Sequence, residues 1–355
     1  MNPSDIFSIK SKREFERRSL EIFRHQAKNN AVYKNYIQQL GIVPEQIKAA
    51  NQIPFLPIEF FKTHKVETIK IEKKGVRKKL NSQLFLSSGT TGMERSKHFV
   101  SDIGLYEKSF RKCFELFYGN VKQYSILAFL PSYYENKNSS LLYMVNDLRN
   151  NASPTPIVIE ASPLEDTLKQ TTEALQKLLS EKKKVILFGV SYALLDFTPT
   201  ASGLSPLSSG RWEGGEVIII ETGGMKGRRE EITREELHKT LCKKFGMRKI
   251  HSEYGMTELL SQAYSKGDGI FNCPPWMKVF VRDVNDPFQI TNYEFGVMNK
   301  KTTTTGAINI IDLANINSCS FIATQDIGKI HQNNSFEVLG RMNNSDLRGC
   351  NLLTH

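Results

Sequence analysis

Residues 162–190 read SPLEDTLKQTTEALQKLLSEKKKVILFGV, and their reading decides the fold class. Ser162-Pro163-Leu164-Glu165 is a capping box with proline at the first helical position, a strong signal for a helix start. Leu164, Leu168, Leu175 and the pair Leu178/Leu179 then share one helical face. Val185–Phe188 follows as a short β-rich run. A helix feeding a strand in this way is the repeating unit of a layered α/β domain with a mainly parallel sheet.

The alternation extends outward in both directions. Further β-rich runs occur at Leu84–Leu86, Tyr124–Leu130, Ile157–Ile159, Val217–Ile220 and around Ile250. A second capping box, Thr233-Arg234-Glu235-Glu236, opens a helix that Gly246 stops. The first 50 residues read as helices. Phe15, Ile22/Phe23 and Ala27 lie near helical spacing, and Tyr33, Tyr36, Ile37 and Leu40 continue the pattern to Gly41. Pro54 and Pro57 favour a bent connection and a new helix start. Past residue 276 the runs become short and turn-broken: Met277–Val281, Ala307–Ile311, Ser335–Leu339. The expected organisation is an N-terminal helical, basic segment packed on the main domain (1–80), an α/β core (81–275), a small β subdomain (276–340) and a C-terminal tail (341–355).

Composition narrows the class. The chain has 355 residues, 39% hydrophobic and 24% charged, which fits a soluble globular protein and excludes a fibrous repeat, a collagen or a wholly disordered chain. The longest apolar stretch, Val185–Phe197, is interrupted by Gly189 and Ser191, short of the roughly 20 residues that span a bilayer. No transmembrane segment is expected. The N-terminus is polar, with Asp5 early, unlike a signal peptide, so a cytoplasmic protein is expected. The formal net charge is +11, and residues 1–80 carry most of it, with 17 Lys and Arg against 8 Asp and Glu. The run Lys73, Lys74, Arg77, Lys78, Lys79 reads as a solvated face; with no zinc finger and no aromatic-interleaved basic pattern, no nucleic-acid partner is expected. Cysteines 113, 242, 273, 319 and 350 form no C-x-x-C pair, which argues against a disulfide framework or a structural zinc.

Three features carry chemistry. Ser87-Ser88-Gly89-Thr90-Thr91-Gly92 follows the apolar run Leu84–Leu86. Its glycines allow a tight turn with inward N–H groups, and its hydroxyls add donors, the equipment for holding phosphate oxygens. It is not a Walker loop, since no G-x-x-x-x-G-K-[ST] occurs. The second feature is Glu253-Tyr254-Gly255-Met256-Thr257-Glu258, following a short strand read at Arg248–Ile250. The third is Asp326 followed by Gly340-Arg341.

The order SSGTTG, YGMTE, Asp, Gly-Arg resembles that of the adenylate-forming (acyl-CoA synthetase-like) superfamily. More narrowly, SSGTTGMERSKH, LPSYYENKNSSLLYMV, HSEYGMTELLSQAY and GRMNNSDLRGC look like the acyl-protein synthetase family of bacterial bioluminescence. The resemblance runs from about residue 50 to the end. It implies the large N-terminal domain of the adenylate-forming fold: layered, mostly parallel sheets with helices and a small β subdomain, lacking the mobile C-terminal domain. It implies that Ser87, Ser88, Gly89, Thr90, Thr91 and Gly92 cradle the β- and γ-phosphates of ATP, and that Gly223 and Gly224 wall the adenine pocket within a nucleotide site that includes Glu253, Gly255 and Met256. Tyr254 would stack on adenine, Thr257 would contact the α-phosphate, and Glu258 would coordinate Mg²⁺. Asp326 and Arg341 would hold the ribose. Cys350 would receive the acyl group.

Read from the residues alone, Gly223-Gly224 also fits a strand-end turn, Asp326 a turn aspartate, Glu258 a solvated carboxylate and His251 a structural histidine; Tyr133 and Tyr134 fit either pocket lining or packing. Two departures stand out. The phosphate loop continues as Met93-Glu94-Arg95-Ser96-Lys97, so Arg95 or Lys97 must supply its cation, and Gln325 replaces the glycine that usually precedes the aspartate. A chain ending about fifteen residues after Gly340 has no room for the mobile domain's catalytic lysine, leaving Lys97, Lys226 and Arg348 as substitutes. The resemblance implies an ATP- and Mg²⁺-dependent acid–thiol ligase acting on a carboxylic acid, with a fatty acid as the expected class. The acyl group would pass through Cys350 to an acyltransferase, reductase or carrier protein. An acyl-CoA or amide ligase using an external acceptor, or a non-catalytic nucleotide- or acyl-binding scaffold, stays open beside it.

Overall fold

The computed structural model describes residues 3–69, 83–88, 94–130, 138–152, 164–197, 216–224, 232–284 and 304–342. In chain order the first elements are α1 (Lys12–Asn29), α2 (Ala31–Gln39), β1 (Leu56–Pro57), α3 (Phe60–Thr63), β2 (Gln83–Leu86) and β3 (Lys97–Val100). There follow α4 (Ile103–Tyr118), β4 (Ser125–Phe129), α5 (Ser140–Asn151), α6 (Leu164–Ser180), β5 (Lys184–Val190), α7 (Ser191–Asp196) and β6 (Glu216–Thr222). The last are α8 (Arg234–Phe245), β7 (His251–Tyr254), β8 (Ala263–Ser265), β9 (Phe271–Asn272), β10 (Met277–Arg282), β11 (Thr304–Asp312), β12 (Phe321–Ile330) and β13 (Phe336–Arg341).

β4, β5, β6 and β7 pair in parallel, with Ile186 opposite Ile126 on one side and Ile218 on the other. SILAF and KVILFGV are apolar along their length because helices pack against this part of the sheet. α6 does so as its leucines foretold: Leu175, Leu178 and Leu179 are buried, each contributing about 1.5–3 kcal/mol. α8 begins at the expected capping box, with Thr233 and Glu236 exchanging bonds, and ends at Gly246 in the left-handed conformation.

After β7 the strand direction alternates. β8 and β9 are antiparallel, and β9 meets β13 through the single pair Phe271 and Phe336. β13, β12, β11 and β10 then complete, among the described residues, one mixed sheet of eleven strands, with β1 alongside β12. The β-rich runs expected after residue 276 are therefore strands, antiparallel to one another and continuous with the parallel part, and β11 is longer than the run read for it.

Two differences from the sequence reading bear on the site. The strand expected at Arg248–Ile250 starts instead at His251, where β7 first pairs with Ile220, so Glu253 and Tyr254 end the strand rather than follow it. β12 escaped notice because Thr324, Gln325, Asp326 and Lys329 break its apolar run, yet it is the longest strand described. The expected strand Ile157–Ile159, Ser162-Pro163 and the basic run at 73–79 lie outside the described residues.

The N-terminal helices are bound to the sheet by buried side chains. Gln26 on α1 donates to the carbonyls of Asn315 and Ile316, both at 3.1 Å, and accepts from the Ser320 amide at 2.9 Å. Asn30 caps α2 through the Tyr33 amide and donates to the Ser318 carbonyl at 2.9 Å. Among the described residues no helix is long and apolar enough to cross a membrane.

Candidate functional site

The site forms where the sheet changes from parallel to antiparallel, at the C-terminal ends of β6 and β7, the usual place for a ligand in an open α/β sheet. Tyr254 closes β7. Its ring is nearly buried, tilted on Phe271 at 5.8 Å and edge-on to Phe336 at 5.5 Å, and its hydroxyl donates to Asp326 Oδ2 at 2.8 Å. Burial and the neighbouring Asp326 charge push the Tyr254 hydroxyl well above its usual range, so it stays a donor.

Asp326 Oδ1 accepts from Arg341 Nε at 3.2 Å. That pair depends on a bulge. Gly328 faces Val338, but Ile327 faces Gly340 and Asp326 faces Arg341, so β13 carries one extra residue. Without it Arg341 would face Gln325 and project to the other side of the sheet. Gly328 permits the close approach: a Cβ there would lie 2.7 Å from the Glu337 carbonyl and 2.6 Å from Ile308 Cδ1. Gln325, on the opposite face, donates to Glu59.

Side chains grip the turn after Tyr254. His98 Nδ1 donates to the Thr257 carbonyl at 2.7 Å, and Asn315 Nδ2 donates to the Glu258 carbonyl at 2.7 Å. Asp312 accepts from the amides of Leu260 and Ser261 at 2.8 and 2.9 Å. Within this frame Glu258 is only 4% exposed. Burial raises its carboxyl, against the opposing effects of the Ser96 hydroxyl and the Arg341 charge. A single carboxylate in such a place suits a hard cation whose other ligands come from phosphate and water. Among the described residues no group of three or more His, Cys, Asp or Glu side chains is placed to form a complete metal cage.

Gly223 and Gly224 follow β6, and Gly223 has φ of +69°. The strand end beneath them is pinned from both sides. Ser191 donates to Glu221 Oε2 at 2.8 Å and lies 3.0 Å from the Gly223 carbonyl, while Thr222 donates to Glu253. Glu221 is fully buried between Arg234 and His238. Burial alone would raise its carboxyl, but Arg234 and His238 hold it down at about 2.

The model of the acyl-protein synthetase family LuxE matches residues 4–354. The chain belongs to that family. Among curated proteins none matches this sequence. In fold the chain is similar to a fatty acyl-adenylate ligase from L. pneumophila, solved with acyl adenylate and pyrophosphate, at 17% identity and TM-score 0.47, covering 79% of this chain and 54% of that one. It is also similar to ATP-bound MatB from Rhodopseudomonas palustris, at 15% identity and TM-score 0.46, covering 76% of this chain and 50% of that one. The chain thus spans about half the length of the solved structures it matches.

Of the residues expected to form the nucleotide site, Tyr254, Asp326 and Arg341 are joined directly, and Glu258 lies close enough to feel the charges of Asp326 and Arg341. Asp326 is a strand residue rather than a turn aspartate, and Glu258 is buried rather than solvated. Glu253 is buried and accepts from the Thr222 hydroxyl. Gly255 gives Glu253 room, since a Cβ there would strike its Oε1. Met256 and Thr257 are half-buried in the turn. Ser87 accepts from the Ser96 amide at 2.9 Å, closing the base of the glycine-rich segment, and Ser88 is exposed.

Lys97 is not gathered in. It is 48% exposed, 3.9 Å from Glu94, and among the described residues no ion pair or hydrogen bond joins it to Thr257 or Glu258. Arg95 is exposed beside it. His251 is structural: its Nδ1 meets the Tyr118 hydroxyl at 3.2 Å, and burial with nearby Lys266 and Lys249 lowers its pKa to about 4. Gly89, Thr90, Thr91, Gly92, Tyr133, Tyr134, Lys226, Arg348 and Cys350 lie outside the described residues. Sequence reading missed His98, Asn315 and Asp312. Only the alternation of β3 hints at His98; Asp312, at the end of β11, and Asn315, in the connection after it, are remote in sequence.

Proposed function

We propose that the protein joins a carboxylic acid, with a fatty acid as the expected class, to AMP at the expense of ATP and then transfers the acyl group to a thiol. The observation that carries this reading is the convergence of Tyr254, Asp326, Arg341 and Glu258, drawn from β7, β12, β13 and the turn after β7, on one end of the sheet.

The chemistry needs such a site. A carboxylate has no good leaving group, so one of its oxygens attacks the α-phosphorus. A new P–O bond forms, the bond to the bridging oxygen breaks, and pyrophosphate departs. A thiolate then attacks the acyl carbon of the mixed anhydride, and AMP leaves with the electron pair. The protein's share is alignment and charge neutralisation.

Asp326 would accept from the ribose hydroxyls. Both its oxygens are engaged by the protein, and each keeps a free lone pair for a further donor. Arg341, 74% exposed on its side chain, would close over the sugar. Adenine would lie against Gly223-Gly224 and the small exposed part of the Tyr254 ring. Thr257 would meet the α-phosphate, residues 87–92 the outer phosphates, and Glu258 would hold Mg²⁺. When bound, the ion neutralises phosphate charge. Arg95 and Lys97 are the nearby exposed cations available to the loop. Cys350 is the proposed thiol, with an acyltransferase, reductase or carrier protein as final acceptor.

Pyrophosphate release from ATP across a panel of carboxylic acids, followed by intact-mass measurement, tests this. The expected result is acid-dependent release and an acyl adduct on the protein. A Cys350→Ser variant should keep the release and lose the adduct. An adduct of equal yield on that variant would overturn the cysteine assignment.

A further inference from the structure

The hairpin of β2 and β3 flanks the glycine-rich segment, yet it forms a two-stranded sheet of its own. The main sheet's ladder therefore does not fix the distance between this hairpin and Glu258. Side chains on β3 face that problem directly. Alternation turns Lys97 outward and puts Ser96 and His98 on the inner side. Ser96 lies beside Glu258 and opposes the rise that burial gives its carboxyl, and His98 donates to the carbonyl of Thr257 next to it at 2.7 Å.

From this geometry, and resting on the adenylation reading above, we propose that His98 is a positioning residue that latches the phosphate-loop hairpin onto the Thr257–Glu258 turn.

The latch is built to hold one orientation. The His98 ring is 1% exposed and meets Phe61 edge-on at 5.6 Å and 90°. A carbonyl can only accept, so the Nδ1 proton is assigned by its partner. Burial pushes the pKa of His98 down to about 4, which keeps the ring neutral in that tautomer at ordinary pH. The turn itself does not depend on His98 for its shape, because Asp312 at the end of β11 and Asn315 in the connection after it also hold it. What His98 adds is the spacing between the hairpin and the turn. A displacement of about 1 Å between groups that share one phosphate chain can cost about 100-fold in rate.

The test compares His98→Leu with His98→Asn, whose amide can donate from near the Nδ1 position. Hydrogen exchange of the ligand-free protein and acid-dependent pyrophosphate release are both measured. In His98→Leu, peptides covering 83–100 should exchange about tenfold faster, the effect of one lost buried hydrogen bond, while peptides covering 304–342 stay unchanged. kcat should fall at least about tenfold with little change in KM for the acid, the signature of misplacement rather than lost binding. His98→Asn should recover most of both losses.

Unchanged exchange at 83–100 in His98→Leu, or equal impairment in both variants, would overturn the latch. If His98→Leu does not fold, His98→Gln replaces it: its amide reaches the Nε2 position, so the latch requires Asn to outperform Gln, and equal behaviour refutes it. The exchange arm needs no turnover. A wild-type protein that releases no pyrophosphate, with His98-dependent exchange intact, would sink the adenylation reading and leave the latch standing.

Discussion

Tyr254 and Asp326 illustrate how one bond carries both stability and chemistry. Tyr254→Phe keeps the ring among Phe271 and Phe336 but removes the donor from Asp326 Oδ2. The expected cost is about 1–3 kcal/mol of stability, read from chemical denaturation, because a buried carboxylate loses a partner. Nucleotide affinity, read by calorimetry, should fall as well, since Asp326 becomes free to turn. Glu221 gives a pH prediction. Its folded pKa of about 2 lies below the ordinary value of 4.5, so its ion pair stabilises fully above pH 4.5 and the contribution is lost as pH falls toward 2. Arg234→Met removes the permanent cation and leaves that buried carboxylate with Ser191 and His238, at a cost of about 3–5 kcal/mol. In that variant Glu221 should take up its proton near or above pH 4.5 instead of near 2. Denaturation followed across this range should therefore show the steep acid loss of the wild type flattened in the variant.

At the scale of elements, the pairing of β12 with β13 is decisive. Asp326 and Arg341 meet only because β13 bulges, and Gly328 allows the strands to close at that point. Gly328→Ala should cost about 1–3 kcal/mol by overpacking and should weaken nucleotide binding more than Ala substitutions on the outer face of β13. The sequence showed the parts of this arrangement unevenly. Capping boxes at Ser162 and Thr233 and apolar runs such as KVILFGV announce themselves locally, so the α/β layers were legible. β12 was not, because the residues that break its apolar pattern are the ones that serve the site. Asp326 and Arg341 were recognisable as motif residues, but a bulge leaves no local pattern that would show they face each other. His98, Asn315 and Asp312 were invisible for a different reason: each acts on a turn more than 50 residues away in sequence, and a buried donor carries no periodic signal.

Over the whole molecule, the N-terminal helices and the site share one framework. Gln26 on α1 binds the Asn315 carbonyl, and the Asn315 amide binds the Glu258 carbonyl. Gln26→Leu orphans several buried backbone groups and should lower stability by about 1–3 kcal/mol. Hydrogen exchange at residues 258–261 should quicken in the same variant, a change that a purely local defect in α1 would not produce. The eleven-stranded sheet ties the parallel strands under Gly223 to the antiparallel strands that carry Asp326 and Arg341. The proposed nucleotide site spans that junction. Acyl-adenylate formation at this junction is checked by measuring pyrophosphate release from ATP with and without a panel of carboxylic acids. Release should require an acid and be abolished in Glu258→Gln; no release with any acid, or release equally fast in that variant, would rule that chemistry out at this site.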